Sequence, residues 1–181
     1  DMACGEYGEG KMSEPLKIAN ELNQFFLNHS QNKKFKALVT AGPTHEYIDP
    51  VRYISNKSSG KQGYEIAVAL NKLGIKTTLI TGPSKISFPK SIKVKKIISA
   101  DEMLNEVKKT LPVDIAVCTA AITDFKPEKY ETKKIKKDNL NINFKRNIDI
   151  LEFLSKNNLQ RPKLVVGFAA ETNDILKLAK E

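Results

Sequence analysis

The chain has 181 residues, 40% of them hydrophobic, a formal net charge of +9, two cysteines and two histidines. That length suits one domain with a short extra segment, and no apolar run approaches the ~20 residues of a membrane span. The excess of lysine favours an anionic partner, but it is scattered over the chain and no nucleic-acid motif accompanies it, so nucleic acid is a minority reading against a phosphorylated small molecule.

Residues 1–13 are glycine-rich, without periodicity and without the basic or apolar region of a secretory leader. Cys4 in that segment has no histidine nearby and reads as an idle thiol. With Cys118 far away in sequence, two free cytoplasmic thiols are the simpler reading than a disulfide. Glu14 to Asn28 reads as a helix: Ser13 can cap it, Pro15 fits its first turn, and Leu16, Ala19, Leu22 and Phe26 recur at helical spacing. A polar linker follows. Lys36-Ala-Leu-Val-Thr-Ala41 is a buried strand stopping at the Gly42-Pro43 turn. The loop 42–60 is long and structureless, and such loops are usually functional.

A helix over about 61–73 closes at Gly74. Strands follow at Lys76–Thr81 and Lys93–Ile98, then a helix over Asp101–Thr110 that Ser99 or Asp101 can cap, and a strand at Val113–Cys118. Residues 125–139 are highly charged and read as an exposed, mobile segment. A strand at Asn141–Lys145, a short helix at Asn147–Lys156, a buried strand at Leu164–Ala169 and a terminal helix after Glu171 complete the chain. The alternation argues for an α/β fold, a parallel sheet with helices on both faces. Ligands of such sheets sit at the carboxyl ends of the strands. The loops at that edge are 42–60, 82–90 and 119–127.

The stretch Arg52 to Glu65 carries most chemistry. Gly60 and Gly63 lead into an apolar-periodic helix, and Ser58, Ser59, Lys57 and Lys61 add hydroxyls and charge. A helix N-terminus behind such a loop binds anions through unpaired N–H groups. A phosphate cradle and a well-capped surface helix are both open from this stretch alone. A Walker loop is disfavoured, because Gln62 follows Lys61 and Ser55 stands where the first glycine belongs. His29 and His45 lack partners for a zinc site, and no nucleophile elbow supports a serine triad. Asp124, past a strand end, is either a Mg²⁺ ligand bridging phosphates or a turn aspartate. Phe168 either stacks on a base or belongs to the core.

Five stretches in order, Val39-Thr-Ala-Gly-Pro-Thr44, Asp49 to Gly63, Ala120-Ala-Ile-Thr-Asp124, Lys134-Ile-Lys-Lys137 and Val166-Gly-Phe-Ala-Ala-Glu-Thr172, resemble phosphopantothenoylcysteine synthetase, also called phosphopantothenate–cysteine ligase. The resemblance runs from about Lys36 to the end. Residues 3–15 resemble the tail of the flavin-dependent phosphopantothenoylcysteine decarboxylase, which bacteria fuse to the synthetase. The resemblance implies a decarboxylase tail over 1–17, helix and linker over 18–35, and a synthetase domain over 36–181, incomplete at its C-terminal end. It implies a Rossmann-like, three-layer fold with a mixed edge to the parallel sheet.

The implied reaction is CTP-dependent, in the cytoplasm, within coenzyme A biosynthesis. The 4'-phosphopantothenate carboxylate attacks the α-phosphate, pyrophosphate leaves, and the L-cysteine amine displaces CMP from the acyl-cytidylate. By the same resemblance, Gly42 and the Ser58, Gly60 and Gly63 amides cradle the triphosphate, with Mg²⁺ at Asp124. Asn56 handles phosphopantothenate and the second step, and Ala120 and Ala121 admit the pantothenate arm. Cys118, Thr119 and Ala120 border cytidine; Ile148, Asp149, Ile150, Leu151 and Phe168 line the base site. Lys134 neutralises the carboxylate and α-phosphate. Cys4 matches the decarboxylase's catalytic cysteine, so FMN belongs only to that other half. A homodimer is expected, the lysine flap reaching the partner's site. Pro43 stands where the family has a second glycine and removes one backbone donor; Ile148 stands where it has proline. A nucleotide-binding regulatory module with the same cradle and no catalysis is the alternative.

Overall fold

Apolar runs covered on both faces and amphipathic runs covered on one set the layers of this chain. The computed structural model describes residues 14–27, 35–136, 141–156 and 159–168. Cys4 with the rest of 1–13, the linker at 28–34, Lys137 and the terminal helix expected after Glu171 lie outside the described residues.

Helix α1 (Pro15–Leu27) starts on proline, whose missing N–H would have no helical partner there. Ala19 and Leu22 are buried, whereas Leu16, expected on the same face, is exposed. Strand β1 (Lys36–Ala41) lies at the centre of the sheet and is buried from its second residue onward. It sends Ala37, Val39 and Ala41 into one core and Leu38 into the other. A strand packed on both faces reads as a continuous apolar run.

The loop 42–60 is not structureless. It holds a small antiparallel ribbon, β2 (Glu46–Tyr47) with β3 (Tyr53–Ile54). The pairing was hidden because two-residue strands leave no periodicity to read. Helix α2 (Lys61–Lys72) then returns the chain to β4 (Lys76–Thr81), parallel to β1 with Lys36 opposite Lys76. Gly74, at φ +80°, makes that reversal. β5 (Lys93–Lys96) is the outer edge and stops two residues before Ile98.

Helix α3 (Ala100–Thr110) is capped by Ser99, whose Oγ accepts from the Glu102 amide at 3.3 Å. β6 (Ile115–Cys118) begins later than the apolar run at Val113 suggests. The charged segment after 124 opens as a strand, β7 (Phe125–Pro127), paired antiparallel with β8 (Phe144–Arg146). The strand expected at Asn141–Lys145 is thus shifted toward the C-terminus. Helix α4 (Ile150–Ser155) starts three residues later than expected, because Asp149 caps it: Oδ1 accepts from the Glu152 amide at 2.8 Å. β9 (Leu164–Gly167) pairs with β6.

The main sheet runs β5-β4-β1-β6-β9, and every described pair in it is parallel; the antiparallel pairs lie in the two ribbons. Helices α1 and α2 cover one face through Ala19, Leu22, Ile66 and Leu70. Helices α3 and α4 cover the other through Met103, Val107, Ile150 and Leu154. This is a three-layer, Rossmann-like arrangement. The chain moves outward from β1 to β4 and β5, then returns to the far side of β1 as β6. That reversal opens a crevice at the carboxyl ends of β1 and β6, the usual place for a ligand in an open α/β sheet.

Helix α2 begins almost on top of that crevice. A Cβ built on Gly63 would collide with Thr119 Oγ1 and the Ala41 Cβ. Gly63→Ala should therefore cost about 1–3 kcal/mol through overpacking, read as a lower midpoint of urea unfolding. An unchanged midpoint would mean that α2 can move away freely.

Candidate functional site

The crevice is built by hydrogen bonds between the segments that follow β1 and β6. The Thr119 amide donates to the Thr40 carbonyl at 3.1 Å, and Thr119 Oγ1 donates to the same oxygen at 2.7 Å. Two residues on, the Ala121 amide donates to the Gly42 carbonyl at 2.9 Å, and Pro43 bridges Ala121 in parallel. Proline lacks a donor, yet this junction uses the Gly42 carbonyl and the Ala121 amide, so Pro43 fits it without loss. Asn56 Nδ2 then donates to the Ile122 carbonyl at 2.9 Å. Gly42, Asn56, Gly63, Thr119 and Ala121, scattered over eighty residues of sequence, meet along one line.

The turn before α2 belongs to the same line. Gly60 has φ +74°, and a Cβ there would stand 3.2 Å from the Gly42 Cα. Only glycine combines that left-handed backbone with that approach. The Gly60 amide donates to Ser58 Oγ at 3.2 Å and the Lys61 amide to Ser59 Oγ at 3.3 Å. Hydroxyl oxygens thus accept from amides at a helix N-terminus, the position an anionic oxygen can take. In the first turn of α2, Gln62 Nε2 is buried without a hydrogen-bond partner among the described residues. An unpaired buried donor is costly, and an acceptor at this helix end would relieve it.

The residues expected to border the nucleotide separate into groups. Cys118, Ala120, Ile148 and Leu151 pack on the α3/α4 face. Phe168 packs on the α1/α2 face. The end of β9 lies between them, since a Cβ on Gly167 would strike Leu151. Ile150 is buried in the core, whereas Asp149 is exposed and caps α4 through Oδ1. The Ile148 amide, which a proline would lack, donates to Asn147 Oδ1 at 2.9 Å. Desolvation pushes the Cys118 thiol up to about 12, against the lowering effect of its hydrogen bond with Thr40, and the nearby Asp149 charge adds to the rise. It stays a thiol at physiological pH and forms a wall rather than a nucleophile.

Asp124 is exposed, and its carbonyl accepts from the Asn147 amide at 2.7 Å. No group of three or more His, Cys, Asp or Glu suited to a metal exists among the described residues. One carboxylate with phosphate oxygens and water suffices for Mg²⁺, which rarely relies on an all-protein cage. Lys134 is exposed.

A buried carboxylate to which the sequence reading gave no role, Asp49, organises the loop. Asp49 Oδ1 accepts from the Val51 and Arg52 amides, both at 2.9 Å. Its Oδ2 accepts from Arg52 Nε at 2.9 Å, from Arg52 Nη2, and from the Ile135 amide at 3.1 Å. The Asp49-Pro50 dipeptide was the available signal, since Asp before Pro favours a turn whose side chain caps the backbone ahead. The Arg52 guanidinium holds the Asp49 carboxyl well below the usual carboxylate range; burial opposes this and the backbone donors reinforce it.

The model of the DNA/pantothenate metabolism flavoprotein C-terminal domain matches residues 32–181. The chain belongs to this family. It is 40% identical to the coenzyme A biosynthesis bifunctional protein CoaBC of Vibrio parahaemolyticus, over 99% of this chain and 46% of the relative. It is 41% identical to that of Haemophilus influenzae, over 99% of this chain and 45% of the relative. The chain therefore spans about half the length of these curated relatives. Among solved structures, a C-terminal domain of CoaBC superposes with TM-score 0.68 at 35% identity, covering 82% of this chain and 70% of that one. A Cab2 mutant in complex with phosphopantothenate-cysteine shares the fold at TM-score 0.62 and 16% identity, covering 88% of this chain and 70% of that one. The family's parallel sheet is the one described above, and no described helix is long and apolar enough to cross a membrane.

A depressed folded-state carboxyl stabilises the protein fully above its unfolded value and less as pH falls below that value. The stability gap between wild type and Asp49→Asn should be widest above about pH 5 and shrink below about pH 4. Urea unfolding across pH measures it, and a constant gap would show that the Asp49 charge contributes nothing.

Proposed function

We propose that the protein containing this chain joins 4'-phosphopantothenate to L-cysteine at the expense of CTP, through an acyl-cytidylate, in the cytoplasmic synthesis of coenzyme A. The observation that carries this reading is the convergence of Asn56 with the glycine turn at Gly42 and Gly60 and the N-terminus of α2, across the β1–β6 crevice. The relatives' shared name, coenzyme A biosynthesis bifunctional protein, supports the pathway.

The reaction brings two anions together, so its first demand is for positioned donors. In this reading the Gly60, Gln62 and Gly63 amides receive triphosphate oxygens, and the Ser58 and Ser59 hydroxyls rotate from acceptor to donor as phosphate arrives. Ala120 and Ala121 leave room for the pantothenate arm beside Asn56. Lys134 approaches the carboxylate and the α-phosphate and offsets their repulsion. The carboxylate oxygen bonds to the α-phosphorus and pyrophosphate leaves. Mg²⁺, held by Asp124 with phosphate oxygens, would supply charge neutralisation for the triphosphate.

In the second step the cysteine amine bonds to the acyl carbon and CMP leaves. Asn56 Nδ2 is tied to the Ile122 carbonyl, which fixes the plane of its amide. Its Oδ1 then accepts a hydrogen bond from the attacking amine and directs the lone pair. Cys118, Thr119, Leu151 and Phe168 border the nucleoside. A homodimer fits the exposed apolar side chains on the two ribbons, Tyr47, Val51, Tyr53, Phe125 and Phe144. Decarboxylation and FMN belong to the other half of the bifunctional relatives in this reading.

Intact protein should release pyrophosphate from CTP when 4'-phosphopantothenate is present, and form phosphopantothenoylcysteine when cysteine is added. No CTP consumption with phosphopantothenate would sink the assignment. Asn56→Ala should accumulate acyl-cytidylate and turn it over at least about 100-fold more slowly, the scale of losing a positioned transition-state donor or acceptor. Normal product turnover would remove Asn56 from the second step. Lys134→Gln should lower kcat by about 100-fold or more while CTP affinity changes little. A change in affinity alone would favour the non-catalytic nucleotide-binding module.

A further inference from the structure

The Asp49–Arg52 pair does more than shape its own turn. Ile135, adjacent to Lys134, has both of its backbone polar groups held by this one side-chain pair. Its amide donates to Asp49 Oδ2 at 3.1 Å, and its carbonyl accepts from Arg52 Nη2 at 3.0 Å. The separations are 86 and 83 residues, so this is a tertiary contact between two loops. The Glu131 amide adds a bond to the Ile48 carbonyl at 3.0 Å. At its other end the segment is anchored by β7 and by Lys126, whose ammonium lies 2.6 Å from Asp101 Oδ2.

Between these anchors the chain is exposed and charged, with no apolar burial to fix it. No acidic group holds the Lys134 ammonium among the described residues, while the backbone of the adjacent Ile135 is fixed. We propose that Asp49 and Arg52 are positioning residues: their carboxylate–guanidinium pair latches the backbone at Ile135 and so sets where Lys134 is presented. This rests on the ligase reading for what Lys134 acts upon. The pair is suited to the task. Asp49 accepts from Arg52 through both Nε and Nη2, which fixes the guanidinium plane and aims the remaining Nη2 hydrogen at the Ile135 carbonyl. Lysine, a point charge on a flexible stem, cannot reproduce that fork. The same loop carries Asn56 four residues beyond Arg52. One buried carboxylate therefore ties the segment of the flap lysine to the loop that carries Asn56.

The test uses intact protein and two readouts: amide hydrogen exchange over 131–136 without ligands, and steady-state kinetics with CTP, 4'-phosphopantothenate and cysteine. Arg52→Gln should speed exchange over 131–136 by at least about 10-fold, as local opening no longer breaks the latch. It should lower kcat by at least about 10-fold with the KM for CTP within about 3-fold, as expected of a misplaced group. Arg52→Lys should fall between wild type and Arg52→Gln in both. Lys134→Gln should lose rate with exchange unchanged, because its latch is intact. Unaltered exchange in Arg52→Gln overturns the latch, and faster exchange with unaltered kcat overturns its positioning role. If Arg52→Gln exchanges rapidly throughout the chain, Arg52→Lys decides, and its exchange should rise over 131–136 alone. Wild-type protein that consumes no CTP overturns the ligase reading; the exchange comparison then decides the latch by itself.

Discussion

Helix α2 can start where it does only because Gly63 has no side chain. The helix end stands against Thr119 and Ala41, at the mouth of the crevice between β1 and β6. With a side chain at position 63, the helix would have to stand further from Thr119 and Ala41. Gly60 imposes the matching constraint on the turn before it, a left-handed backbone against Gly42. A helix N-terminus attracts anions anywhere. Here the two glycines bring one to the edge of the sheet where the loop carrying Asn56 also arrives.

Around this edge, buried polar groups join loops that sequence keeps apart. The Thr40 carbonyl takes two bonds from Thr119. The buried Glu46 carboxylate accepts from the Ala100 amide at 2.9 Å, tying β2 to the N-terminus of α3 and meeting its dipole. Asp49 ties its own turn to the segment before Lys137. A polar group taken out of water must be paired, so each of these contacts specifies which loop lies against which. Apolar packing gives the layers their stability and is indifferent to such detail. The carboxylates, threonines and one asparagine are what align the edge.

The His45 and Tyr53 rings stack with centroids 3.9 Å apart, and Tyr47 meets Tyr53 edge-on at 5.5 Å. Such contacts hold a two-residue ribbon that two strands alone would not sustain in water. They explain how a loop with little regular structure still gives Asp49 and Arg52 a fixed base.

The alternation of strand and helix, the central strand at Lys36–Ala41 and the helix start at Gly60-Lys61 were all legible in the sequence. Burial on both faces leaves a continuous apolar run, and a helix beginning leaves glycine and serine before a periodic one. Five ordered motifs carried the family. What the sequence could not show were pairings at long range: the ribbons, whose strands are too short for a period, and the clasp of Ile135 by Asp49 and Arg52. Nor did it show that Asp149 caps α4 or that Ile150 is buried in the core. Local rules of propensity and spacing act within about a dozen residues, and they settled the elements of this protein. Which carboxylate meets which distant amide depends on how the layers stack, and only the tertiary structure decided that.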